Sequence, residues 1–342
     1  MKKLLSISLA LAMTFALAAC GGNPGTSSAG SSQGAGSDVQ SAGSASTGGE
    51  LISVGIINND PNESGYRTAN DRAMKEMFTE DNGYQASFAY SQKNDEQIAA
   101  AQKMIQDEVD YLLISPAGTS GWDSVLQDAQ TAGIEVILFD RMLEADENMY
   151  VAAVVSDMPK EGETAVTWLA DQGLEEYNIV HIQGVMGSDA QVGRTGALDA
   201  KVESEDNWNY VTQQTAEWSE DTARTIMQSV IDAGTPFNVI YAENDGMARG
   251  AVAALDAAGI THGVDGDVII MGFDCNKWAL EELLAGRWNY DGQCNPFQAE
   301  TIHKIITDLE AGTAPTEKII YTPEQGFDAK TITQEDVDTY GI

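Results

Sequence analysis

Residues 111–141 read YLLISPAGTSGWDSVLQDAQTAGIEVILFDR. Tyr111–Ser115 is a short apolar run. Behind it, Trp122, Val125, Leu126 and Ala129 fall at helical spacing after Thr119 or Ser120, either of which can cap a helix. Glu135–Phe139 is a second apolar run, and it ends in Asp140-Arg141. Strands that are apolar on both faces, separated by an amphipathic helix, are the unit of a parallel sheet covered on two sides. The two opposite charges set directly on a buried strand's end are unusual for a loop chosen only for solubility.

The same alternation extends outward in both directions. Further strands are expected at Leu51–Ile57, Tyr84–Tyr90, Met149–Val155, Asn178–Ile182, Tyr210–Gln214, Asn238–Tyr241 and Val268–Gly272. Ser219 can cap a helix that stops before Gly234, and Asp245 can cap one that places Met247, Ala251, Val252 and Leu255 on one face before Gly259. So many units exceed one ordinary sheet, and the expected architecture is α/β with two doubly wound parallel-sheet lobes. The first crossing between them is expected at Val155-Ser156-Asp157-Met158-Pro159, where a strand runs into a Pro-started helix.

In such folds ligands bind outside the carboxyl ends of the strands. Those ends carry Asn58-Asn59-Asp60, Ser115, Asp140-Arg141, Gln183-Gly184, Asn244-Asp245 and Asp274. Loop polarity and helix capping account for any one of these, Asp245 in particular, but less readily for Asp140-Arg141.

The 342 residues hold 18 Lys+Arg against 53 Asp+Glu, for a net charge of −35. Nucleic acid is thereby excluded as a partner, and an anionic membrane surface is a poor one. Residues 1–50 contribute only Lys2, Lys3, Asp38 and Glu50, so residues 51–342 hold the whole −35 by themselves. Lys2 and Lys3 precede an apolar stretch, Leu4–Ala19, too short to span a bilayer, as in a secretory signal. It closes on Leu17-Ala18-Ala19-Cys20-Gly21, which resembles a bacterial lipobox and implies lipidation of Cys20. Nine Gly and eight Ser among residues 21–49 form a tether reaching roughly 30 Å as a flexible coil. The expectation is a globular body outside the cell, held on the membrane through its lipid alone.

Within residues 51–325 the chain resembles the periplasmic sugar-binding proteins of ABC importers, of the ribose/galactose type and type I fold. The likeness rests on ESGYRTAND (63–71), YLLISPAGTSGWDSVLQDA (111–129), ILFDR (137–141), IVHIQGVMGSDAQVGR (179–194), VIYAENDGMARGAVAAL (239–255) and IIMGFD (269–274). The first motif and the pair Gly121-Trp122 are most similar to the galactofuranose-binding branch. The resemblance implies a three-crossover hinge with later crossings near Gln293 and Tyr321. The lobes are then 51–155 plus 294–321, and 156–293 plus 322–342. It also implies that Glu63, Tyr66, Arg67, Ser115, Asp140 and Arg141 face a sugar from one lobe, with Arg194, Trp218, Asn244, Asp274 and Gln293 facing it from the other.

That residue set suits a sugar chemically. Each hydroxyl donates and accepts, so carboxylates must alternate with Arg and Asn donors, and aromatic rings can cover the C–H face. The expected partners are a monosaccharide, with a furanose such as galactofuranose or arabinofuranose ahead of ribose or galactose, and an ABC permease with its ATPase. Capture by hinge closure of a monomer is expected, without metal or cofactor. A sugar-sensing module presenting its ligand to a membrane sensor kinase is the alternative reading. An enzyme is the distant one: there is no G-x-G-x-x-G after the first strand, no P-loop and no G-x-S-x-G, and the three His have no metal-ligand spacing. His181, inside an apolar strand, reads as a packed histidine, and Trp122 as core. Cys275 and Cys294 follow two of the implied ligand residues, leaving a disulfide between them open.

Overall fold

The computed structural model describes residues 51–342. The signal, the Cys20 lipidation and the tether lie outside the described residues. In chain order, β1 (Ile52–Asn58), α1 (Gly65–Met77), β2 (Tyr84–Tyr90), α2 (Asn94–Gln106), β3 (Tyr111–Ile114), α3 (Asp123–Ala132), β4 (Glu135–Asp140) and β5 (Ala152–Val155) build a first lobe. A second contains α4 (Met158–Ala170), β6 (Tyr177–Gln183), α5 (Asp189–Ser204), β7 (Trp208–Thr215), α6 (Glu220–Ala233), β8 (Val239–Ala242), α7 (Asp245–Ala258), β9 (Ile269–Phe273), α8 (Lys277–Leu284) and β10 (Tyr290–Gly292). The chain then returns to the first lobe for α9 (Ala299–Glu310) and β11 (Ile319–Tyr321). It ends in the second with β12 (Gly326–Asp328) and α10 (Gln334–Tyr340).

The sheets run β11-β5-β4-β3-β1-β2 and β12-β10-β9-β8-β6-β7, parallel throughout except where β10 meets β12. Alternation along each strand separates two cores per sheet. Val54 and Ile56 of β1 face Met74 of α1 and Ile302 of α9, whereas Ile57 faces Met104 of α2 and Leu126 of α3. In the second lobe, Val180 and Ile182 pack with Met227 and Leu255, and Ile179 packs with Leu169 and Leu198. Burial on both faces is why these strands read as unbroken apolar runs. His181 is indeed packed, with Nε2 at 3.0 Å from Glu243 Oε1. Trp122 is fully buried, its Nε1 donating to Asn94 Oδ1 at 2.9 Å.

Several local expectations are corrected. Gly121 takes φ +89, so α3 begins only at Asp123, with Trp122 at the cap and neither Thr119 nor Ser120. The cap of α7 is Asn244, whose Oδ1 accepts from Met247 N at 2.8 Å; Asp245 is already inside the helix. Residues 147–149 form a single 3₁₀ turn capped by Asp146, so β5 starts at Ala152 and not at Met149. Strands β10, β11 and β12 escaped notice because three residues carry no periodicity.

Close helix packing in the second lobe depends on missing side chains. A Cβ on Gly162 of α4 would lie 2.8 Å from Gly193 O, and one on Gly193 of α5 would lie 2.5 Å from the Met158 carbonyl carbon. These two glycines bring α4 against α5 and set their neighbours, Glu161 and Arg194, side by side. We expect Gly193→Ala to cost about 1–3 kcal/mol, since backbone must move to admit the methyl. Gly196→Ala on the same helix, where a Cβ meets nothing within 4 Å, should be neutral or stabilising by up to about 1 kcal/mol. Urea unfolding of the two variants tests this; equal midpoints would refute it.

Candidate functional site in the interlobe cleft

The first wall of the cleft grows from the ends of β1, β3 and β4. Asp140 closes β4 with φ +66, a left-handed turn that swings its carboxylate off the strand direction. Arg67 Nη1 donates to Asp140 Oδ2 at 2.7 Å, Ser115 Oγ to the same oxygen at 2.5 Å, and Tyr66 OH to Oδ1 at 2.6 Å. Ser64 caps α1 through Arg67 N at 3.2 Å, which fixes the helix start carrying Tyr66 and Arg67. Arg67 and Asp140 are 0% and 1% exposed. Burial alone would push the Asp140 carboxyl up, but Arg67, then Arg141, with Ser115 and Tyr66 as donors, hold it below the usual range. Burial first, then Asp140, drives the Tyr66 phenol well above its ordinary value, so it stays a donor.

The opposite wall is built from the ends of β6 to β9 and from α5. Arg194 donates through Nε and Nη2 to Glu161 Oε2 at 2.8 and 2.7 Å, and through Nη1 to the Glu243 carbonyl. Its guanidinium lies 4.6 Å from the Phe273 ring centre and 3.7 Å from Asp274 Oδ1. Trp218, at φ +64, covers Gly184 so tightly that any Cβ there would strike the indole. Asp274 has φ +111, and its N–H donates to Gly292 O at 2.9 Å. Burial pushes its carboxyl up to about 7, against the opposing pull of Arg194, Arg67 and Arg141.

Together these surfaces enclose about 290 Å³ between atoms, part of it open to solvent. Glu63, Tyr66, Asp140, Arg141, Arg194, Trp218, Asn244 and Asp274 all line it. Arg67 and Ser115 do not; they reach it only through Asp140. Gln293 is not brought there either. Its N–H pairs with Gln325 O at 2.8 Å in the hinge, and the residue lines a separate pocket with Tyr321 and Glu324. Sequence reasoning missed Ser64, Met158, Ala190 and Cys294 on the cavity wall. Ser64 carried a cap signal, whereas Met158 and Ala190 carried none. Cys275 and Cys294 are both unpaired, buried thiols: Cys275 Sγ turns to Asp291 at 3.8 Å, and Cys294 Sγ to Ser156 at 3.5 Å.

The lobes meet across this cavity. Met142 N of the first donates to Asp189 Oδ2 of the second at 2.8 Å, and Arg141 stands 5.9 Å from the Trp218 ring centre. Gly65 lets Asn276 come within 1.7 Å of where a Cβ would be. Two donors lining the cavity, Arg141 Nε and Trp218 Nε1, are buried without an acceptor among the described residues. Such orphans are rare and each costs about 1–3 kcal/mol, so they mark a place built for a ligand carrying acceptors. Asp140, Trp218 and Asp274 also hold positive φ, the backbone strain expected where side chains are aimed rather than relaxed.

The periplasmic binding protein domain family matches residues 54–310. The chain belongs to the periplasmic binding protein family. The fructose import binding protein FruE of Bifidobacterium longum is 33% identical over 304 residues, 85% of this chain and 90% of that protein. The galactofuranose-binding protein YtfQ of Escherichia coli is 29% identical over 77% of this chain and 85% of its own length. Among solved structures, the arabinofuranose-bound periplasmic binding protein of the arabinose ABC transporter from Shewanella sp. ANA-3 superposes with a TM-score of 0.75. It is 28% identical and covers 82% of this chain and 92% of that one. These relatives are sugar-binding proteins and not enzymes, and the family is extracytoplasmic. The two-lobed architecture read from the sequence is the one this periplasmic binding protein adopts. Among the described residues, no helix is long and apolar enough to cross a membrane.

Because Asp140 is buried with its countercharge, Arg67→Ala should cost about 3–5 kcal/mol by stranding the carboxylate. Exposed Arg72, on the same helix, should tolerate Ala within about 0.5 kcal/mol. Chemical unfolding of both variants checks this, and a small loss at Arg67 would show that the pair carries little.

Proposed function

We propose that the protein captures a monosaccharide, in furanose form, between its lobes and delivers it to an ABC permease from the outer face of the membrane. The observation that carries this reading is the cavity wall itself. Acceptors Asp140, Asp274 and Glu63 share the wall with donors Arg141, Arg194 and Asn244, and with the aromatic residues Tyr66 and Trp218. A ring of hydroxyls meets that pattern; an apolar ligand or a bare ion does not. The galactofuranose- and arabinofuranose-binding relatives support the furanose form.

In the proposed cycle, Arg141 Nε and Trp218 Nε1 donate to sugar oxygens, and Asp140 and Asp274 accept from hydroxyls. The closed arrangement is favoured only when both walls engage one ligand, so the sugar acts as the closing contact. Arg67, Ser115 and Glu161 act behind the wall by orienting Asp140 and Arg194. The domain division at residues 155–156, 293–294 and 321–322 makes the bending points three short segments. Lipidation at Cys20 and the Gly/Ser tether would keep the loaded body near the permease and its ATPase, which supplies the energy.

Arg141→Ala and Asp274→Ala should each weaken sugar binding at least about tenfold while leaving the fold intact, as loss of charged hydrogen bonds requires. Calorimetry against arabinofuranose- and galactofuranose-containing sugars checks this, and undiminished binding in both variants would refute the site. A carboxyl titrating near 7 also gives a pH signature. If the sugar needs the Asp274 carboxylate, binding releases a proton, so affinity falls as pH drops below about 7 and levels off above it. Asp189, raised by burial to about 6, is the competing origin. The slope should persist in Asp189→Asn and vanish in Asp274→Asn.

A further inference from the structure

A second constellation sits in the hinge and shares only Cys294 with the wall of the cleft. Glu161 stands in the first turn of α4, Cys294 in the second crossing between lobes and Glu324 in the third. The Cys294 sulfur and one oxygen from each carboxylate lie within 4.8 Å of one another. Glu161 and Cys294 are 6% and 3% exposed, and Glu324 is partly buried. Neither glutamate lines the sugar cavity.

Both carboxylates are held in place by their surroundings. Glu324 Oε1 accepts from Ser156 Oγ at 2.5 Å, Asn295 N at 2.7 Å and Thr322 Oγ1 at 3.0 Å, one partner from each crossing of the hinge. Arg194 occupies Glu161 Oε2, while Glu161 Oε1 is buried with no partner among the described residues. Both glutamates also line a pocket of about 540 Å³, partly open to solvent, which supplies an entry path. Two carboxylates and a thiol at this spacing repel when ionised. Burial and then the charges of Glu161 and Glu324 push the Cys294 thiol well up. Ionised together, the three groups less the Arg194 charge leave two negative charges, matched to a divalent cation.

We propose that Glu161, Cys294 and Glu324 are the protein ligands of a hinge site for a zinc-class divalent cation. The thiolate selects a borderline-soft metal over magnesium or calcium, and three protein ligands leave a fourth tetrahedral position for water. To reach bonds of 2.0–2.3 Å the ligand atoms draw together by about 1 Å. Arg194 is then an orienting partner of one ligand, which links the metal to the sugar wall.

Cobalt(II) titrated alone into the metal-free full-length protein tests this by absorbance. A thiolate-to-cobalt charge-transfer band is expected, saturating at one ion per chain and displaced by zinc. It should disappear in Cys294→Ser, survive in Cys275→Ser, and need at least about tenfold more cobalt in Glu324→Gln. No band in the wild type, or a band that survives in Cys294→Ser, overturns the proposal. Should Cys294→Ser fail to fold by circular dichroism, Glu324→Gln decides, since it keeps the thiol: an unchanged titration there overturns it as well.

Discussion

The buried ion pair between Arg67 and Asp140 is the constraint around which the first lobe's working surface is arranged. An unpaired carboxylate at 1% exposure would lose its charge, because burial favours the neutral acid. Arg67, Ser115 and Tyr66 keep it ionised, and they come from α1 and from the end of β3. One acceptor therefore ties the ends of three chain segments together and leaves Tyr66 and Arg141 at the cavity. The left-handed turn at Asp140, uncommon for any residue but Gly though tolerated best by Asn and Asp, is held by these bonds.

The second lobe solves the same problem in mirror fashion, with the cation on the cleft side and the carboxylate behind. Arg194 is buried against Glu161, the Glu243 carbonyl and the face of Phe273. Its position follows from the contact of α4 with α5, which Gly162 and Gly193 permit by having no side chain to separate the backbones. Burial holds the Glu161 carboxyl up even so, with Arg194 pulling the other way. The hinge lies directly behind this pair, and Glu324 collects donors from all three crossings there. Wall and hinge thus share one buried network.

Much of the fold was readable in the sequence for a plain reason. A strand covered on both faces has to be apolar throughout, so β3 and β4 announce themselves, as do the helices between Gly stops such as Gly234 and Gly259. Strand ends also pointed to Asp140, Arg141, Asn244 and Asp274 on the cavity wall, because parallel strands all deliver their carboxyl ends to one side, whereas Glu63, Tyr66, Arg194 and Trp218 were implied only by the family resemblance. The pattern failed where chain is short or where conformation overrides composition. Strands β10 to β12 are too brief to show a period. Gly121 breaks the chain just ahead of α3, and capping passes from Asp245 to Asn244 because the Asn244 side chain accepts from the Met247 N–H three residues on.

The sequence by itself determined the α/β class, the two lobes, the acidic exterior and the residue types gathered at the strand ends, since each follows from local periodicity and charge. Tertiary structure alone decided which polar residues touch the cavity and which stand behind it. Arg67 and Ser115 face Asp140, Gln293 faces the hinge, and the two thiols stay apart. The physical reason is that a buried charge takes its partner from whatever segment folds beside it, and the separation along the chain, 73 residues for Arg67 and Asp140, leaves no mark in either local sequence.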